Sequence, residues 1–121
     1  MLREQCGGVN VVGYNYDNQN QGWNWPVNVL DTASPGNALD LGSPNRECSP
    51  SGPGVGADGE PGSQYANCNE QGKALILQRQ GITQPSDIDA RGMIYFQYDT
   101  PVTINRIGVL DGKEHVEVWV R

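Results

Sequence analysis

The chain has 121 residues, with 8 Lys and Arg against 14 Asp and Glu, a net charge of −6 and a pI near 4.5. That is room for one domain, and so acidic a chain is a poor ligand for nucleic acid. No apolar run approaches the roughly 18 residues that a membrane span needs, so membrane insertion is not expected either. Glycine (16 residues) and proline (8) are frequent enough to mark a turn-rich chain.

Helix signals are close to absent, because no window repeats apolar residues at helical spacing without a Gly or Pro breaking it. Strand signals begin with residues 9–14 and 26–31, joined by an Asn/Gln-rich segment over 16–22. The 39 residues from Ser34 to Gly72 contain eight Gly, five Pro and few strand formers. Loops of that length are usually functional or disordered. The Asp, Asn and Cys that punctuate this one favour an ordered loop. Residues 74–79 then form a short apolar run between Gly72 and Gly81, and 93–98 are rich in aromatic and β-branched side chains. Over 102–110 the apolar residues alternate, with one slip around Asn105-Arg106 of the kind a β-bulge produces. Asp111-Gly112 makes a turn into 115–120, where Val116, Val118 and Val120 share one face. The last three of these strands read as an antiparallel meander.

The pattern predicts an all-β fold, a single antiparallel β-sandwich of jelly-roll type over residues 1–121 with a long Gly/Pro-rich loop over about 34–72. Two sheets are expected because one sheet cannot bury both of its faces. No clear strand precedes Val9 and the last one runs to Arg121. The chain is therefore expected to be part of a longer domain, or to have an edge completed by pairing with another chain.

Cys6, Cys48 and Cys68 form no C-x-x-C pair, and His115 is the only histidine, so a zinc site fails on ligand count. Cys48 and Cys68 bracket a stretch with little apolar material to hold it. A disulfide there is expected to stabilise by about 3 kcal/mol, with Cys6 free or itself the partner of one of the two. Three reduced, buried thiols are the alternative. Residues 1–5 have no apolar core, so no leader is visible in this chain.

The most distinctive stretch runs from Leu30 to Asn45. It is followed by Gly52-Pro53-Gly54-Val55-Gly56, Gly59-Glu60, Asn67-Cys68, Ala74-Leu75-Ile76-Leu77-Gln78, Gly92-Met93-Ile94-Tyr95-Phe96 and Ile107-Gly108-Val109-Leu110-Asp111. In this order the pieces resemble an extracellular β-sandwich domain of bacterial surface proteins with PEP-CTERM-type sorting tails, and of algal cell-surface proteins. The resemblance covers about Cys6 to Val120 and rests on the order of the pieces, none of which is specific by itself. It departs at Asp111, which is followed by Gly112 and Lys113 where such domains carry a further acidic residue. It implies a secreted or cell-surface, non-catalytic module and names no ligand.

Three chemistries are candidates. Calcium needs several oxygen ligands, which Asp/Asn/Gly loops supply. Asp31, Asp40, Asn45, Asp87, Asp89 and Asp111 are the candidate ligands, each equally able to serve as a turn former. Trp23 and Trp25, two apart, point the same way in an extended chain and make a sugar-stacking platform conceivable, with Tyr14 and Tyr16 nearby. A domain with one Phe also needs its aromatics inside, and core packing is their other role. Catalysis has the weakest signals. His115 with Ser86 or Ser63 lacks any nucleophile-elbow sequence, and Glu60 with Asp87 forms a conceivable carboxylate pair. The expected function is thus a non-enzymatic binding or adhesion module, with structural calcium and a glycan or surface protein as partner. A small carbohydrate-active enzyme using acidic residues, or a structural matrix or envelope subunit, is the alternative.

Overall fold

The computed structural model describes residues 8–18, 24–55, 67–88, 90–110 and 116–120. Its regular structure is almost all strand: β1 Val9–Asn15, β2 Val27–Asp31, β3 Lys73–Leu77 and β4 Gly92–Tyr98. A 3-10 turn at Leu39–Leu41 is the only helical element among the described residues. β1 pairs antiparallel with β4, and β2 with β3, so the fold is all-β with two small sheets of two strands each.

Alternation along β1 decides how the first sheet lies. Val9, Val11, Gly13 and Asn15 are buried, while Asn10, Val12 and Tyr14 between them face the other side. The sheets meet where β1 and β4 each lack a side chain. A Cβ on Gly13 would stand 2.6 Å from the Trp25 carbonyl oxygen and 2.8 Å from the side chains of Leu77 and Val27. One on Gly92 would collide with Leu77. Leu77, the last residue of β3, therefore lies across a floor that only glycine can provide, and the Trp25 N–H donates to the Gly13 carbonyl at 3.2 Å.

Opposite parity on the second sheet turns Leu30 and Ile76 onto Ala38 and Leu41, contributed by the segment after β2, and Leu110 packs against this cluster. The chain from Thr32 onward is held mainly by polar contacts. Thr32 and Ser43 are fully buried and stand in a one-way hydrogen-bond relay. The Gln71 N–H donates to Ser43 Oγ (2.9 Å), Ser43 Oγ to Thr32 Oγ1 (2.7 Å), and Thr32 Oγ1 to the Gly72 carbonyl (2.7 Å). Every hydroxyl in the relay both gives and receives, which removes the desolvation cost of burying it. The expected ordered loop is thus ordered in its described part.

The predicted strand over 26–31 is one residue shorter in the structure, and that over 74–79 ends as a strand at Leu77. There Gln78 bridges to Asp87, and the Arg79 N–H donates to the Ser86 carbonyl at 2.7 Å. The predicted C-terminal meander is a correction. Residues 102–110 and 116–120 join neither sheet, so no bulge forms at Asn105-Arg106. The Asp111-Gly112 turn and His115 lie outside the described residues. β4 takes as its partner β1, far away in sequence, rather than the segment that follows it. Val102, Ile104, Ile107, Val109, Val116 and Val118 are left about half exposed. Period-2 alternation reports a segment's fitness for a sheet and is silent about whether a free edge lies beside it.

Candidate functional site

The outward face of the β1–β4 sheet carries Tyr14 and Tyr95, with Tyr16 just beyond the end of β1. Register sets Tyr14 opposite Met93, Val12 opposite Tyr95 and Asn10 opposite Gln97, and these six side chains share that face. Tyr16, two residues beyond Tyr14, continues the same parity, since its N–H donates to the Arg91 carbonyl at 2.9 Å. The Tyr14 and Tyr16 rings meet edge to face with centroids 5.0 Å apart and planes at 67°. Such a pair prefers this geometry because the positive ring edge faces the negative ring face. Tyr16 is 43% exposed and Tyr95 45%, a large fraction for rings of this size.

Polar groups border this face. Asp17 accepts from Arg91 through both the backbone N–H (3.3 Å) and the guanidinium (3.2 Å), closing one end. The Asn10 Oδ1 is buried without a hydrogen-bond partner, a cost of about 1–3 kcal/mol for an orphaned acceptor. A surface of tyrosine rings and amides suits a ligand with both apolar faces and hydroxyl edges.

The other residues expected from the sequence lie elsewhere. Trp25 is turned into the core, 8% exposed, and its indole N–H donates to the Gln78 carbonyl at 3.0 Å. Trp23 lies outside the described residues. Asp31 ends β2 and holds the Ala33 N–H with its Oδ1 at 3.0 Å, an Asx turn. Asn45 is buried and its Oδ1 holds the Glu47 N–H at 2.9 Å in the same way. Asp40 is exposed in the 3-10 turn, and Asp87 lies across from Gln78. Asp89 and Asp111 are outside the described residues, as are Glu60 and Ser63. Among the described residues no three His, Cys, Asp or Glu come together in a group able to hold a metal. Ser86 is buried with its N–H on the Gln78 Oε1 at 3.2 Å.

The Cys48–Cys68 bridge is formed, with Cα atoms 5.4 Å apart, and Cys6 lies outside the described residues. The bridge is compatible with an extracellular location. No helix among the described residues is long and apolar enough to cross a membrane. Beside the bridge, the Asn45 N–H donates to the Asn67 carbonyl (2.9 Å), and the Asn45 carbonyl accepts from Cys48 (3.0 Å) and Gly52 (3.3 Å).

Sequence reasoning missed Gln78. The carbonyls of Arg79, Ile82 and Gln84 all lie 3.0–3.2 Å from its Nε2 and share its two N–H groups, and its Oε1 accepts from Asn28 and Ser86. The signal was present: Ala74, Ile76 and Gln78 share one parity, so a polar side chain continues the inward row of a strand. Tyr95 was missed because its pairing with Val12, which places it beside Tyr14, is a long-range contact.

Comparison with protein-family models, with curated proteins and with solved structures found no match.

Proposed function

We propose that this chain is a non-catalytic binding module, secreted or displayed at a cell surface, whose ligand is a glycan held on the Tyr14–Tyr16–Tyr95 face. The observation that carries the reading is the placing of three tyrosines and the exposed amide of Gln97 on one side of the β1–β4 sheet. Rings stack on the apolar face of a sugar, and amides exchange hydrogen bonds with its hydroxyls. The disulfide and the sequence resemblance to extracellular β-sandwich domains support the compartment and a jelly-roll-like completion of the two sheets. A net charge of −6 favours neutral over anionic glycans, since like charge disfavours the encounter.

The test is titration calorimetry against a panel of soluble neutral and acidic polysaccharides. Binding is expected with a neutral glycan and with no release of reducing ends. Tyr16→Ala should weaken it by about tenfold, equivalent to about 1.4 kcal/mol, and lower the thermal midpoint by no more than the loss of the Tyr14 ring contact, about 1 kcal/mol, accounts for. Affinity that is indifferent to Tyr16→Ala would remove this face from the reading.

Structural calcium is the second part of the proposal. It would draw on Asp31, Asp40, Asn45, Asp87, Asp89 and Asp111, of which Asp31 Oδ1 and Asn45 Oδ1 each hold a backbone N–H in the structure. A thermal midpoint raised by several degrees in millimolar calcium and unmoved by magnesium is the expected result. Equal midpoints with calcium and with chelator would leave the aspartates as turn formers.

A further inference from the structure

We propose that β4 is the seam of a symmetric dimer, in which two copies of this chain join edge to edge by antiparallel pairing of their β4 strands. The hydrogen-bond parity of β4 shows which of its backbone groups are available. The Tyr16 N–H reaches the Arg91 carbonyl at 2.9 Å, and the Asp99 N–H reaches the Gly8 carbonyl at 3.3 Å. Both contacts extend the β1–β4 register beyond the strand's two ends. Odd-numbered residues of β4 therefore turn their N–H and C=O toward β1. Gly92, Ile94, Phe96 and Tyr98 turn theirs to the opposite edge, which pairs with nothing among the described residues. Phe96 and Tyr98 are 44% and 40% exposed.

Charge sets the register. A two-fold axis through Tyr95 places Ile94 opposite Phe96 of the second copy and Gly92 opposite its Tyr98. The same axis places Arg91 opposite Asp99 of the second copy, and this happens twice by symmetry. Sliding the register to the next one of the same parity, in either direction, sets Arg91 against Gln97 or Pro101 and loses both ion pairs. Ile94 and Phe96 fall in the hydrogen-bonded class of pairs, as their outward backbone groups require. Arg91 and Asp99 fall in the other class, where side chains come closest. The Arg91 side chain is 82% exposed even while it contacts Asp17. β4 itself carries no charge, so two acidic chains meet along a neutral strand. The product is a four-stranded sheet, where a two-stranded one is marginal by itself. This pairing is independent of the glycan reading.

Sedimentation across the micromolar range should show a monomer–dimer equilibrium. Phe96→Pro should abolish the dimer and keep the circular dichroism of the fold, because the N–H it deletes faces away from β1. Arg91→Asp should weaken association, and adding Asp99→Arg in the same chain should restore it. In a Cys6→Ser background, Tyr95→Cys should give a disulfide-linked dimer under mild oxidation, whereas Met93→Cys should not. A monomer throughout, a Phe96→Pro variant that still dimerises, or cross-linking through Met93→Cys in place of Tyr95→Cys would overturn the proposal.

Discussion

Replacing Gln78 by Leu is expected to lower stability by about 3 kcal/mol, read as a shift of the urea midpoint. The side chain is 7% exposed, shares its two N–H groups among three carbonyls and receives two hydrogen bonds at its Oε1. Its carbonyl also receives the Trp25 indole N–H. Leu fills similar space, yet leaves the Ser86 N–H, the Asn28 amide and three carbonyls to find other partners. The partners span residues 79–86, so the whole connection after β3 is expected to loosen, with protease sensitivity appearing there first. Gln78→Glu separates hydrogen bonding from volume. A carboxylate offers no donor to three carbonyls, so this variant should be worse than Leu at neutral pH. Its carboxyl would hold a proton more tightly in the folded state than in the unfolded one. Stability should therefore recover as the pH falls through the carboxylate range and be lost again as it rises. A pH-independent deficit would show that shape, rather than donors, is what Gln78 supplies.

The second large effect concerns Cys48–Cys68. The bridge closes 20 residues of separation, and the chain-entropy argument assigns it about 3 kcal/mol. Cys48→Ala with Cys68→Ala should therefore lower the thermal midpoint by about 10 °C. Reductant should lower the unaltered protein by a similar amount and leave the double variant where it is. The bridge also keeps Asn67 within reach of the Asn45 N–H. Without it, the Asn45 turn should lose its outer partner, and the amide of Asn45 should exchange faster with solvent. If the double variant melts with the unaltered protein, the hydrogen bonds around Asn45 already hold the segment.

Much of this architecture is legible in the sequence, in proportion to how local its causes are. The four strands of the structure all lie within predicted ones, give or take a residue, because alternation and β-branched content are properties of the segment itself. The disulfide is legible because the Gly/Pro-rich stretch between the two cysteines has little apolar material in its sequence to hold it. Partner choice is not legible. β4 pairs with β1 across most of the chain, and nothing in residues 93–110 marks that the adjacent alternating segment will be passed over. The site divides in the same way. Tyr14 and Tyr16 follow from parity alone, but Tyr95 joins them only through long-range register. Trp25 has the same aromatic character and goes inward, because the Gln78 carbonyl offers its N–H a buried acceptor. The Asp and Asn residues illustrate a different ambiguity. A carboxylate that caps a turn and one that binds a cation have the same local sequence, and Asp31 and Asn45 are seen capping.

The composition of the interior has a consequence for how the protein responds to cold. Among the described residues nine buried side chains are apolar, Pro35 included, and six are polar, with Thr32 and Ser43 among the most deeply enclosed. Exposing apolar surface raises the heat capacity of the chain, and exposing polar surface lowers it. An interior so evenly divided should unfold with a heat-capacity increment below the usual roughly 12–15 cal/mol/K per residue. The curve of stability against temperature is then shallow. Cooling weakens the hydrophobic contribution in every protein, but here that contribution is a smaller part of what holds the fold. The relay from Gln71 to Gly72 and the contacts of Gln78 keep their strength as the temperature drops, and the fold should stay intact over a broad and cold range.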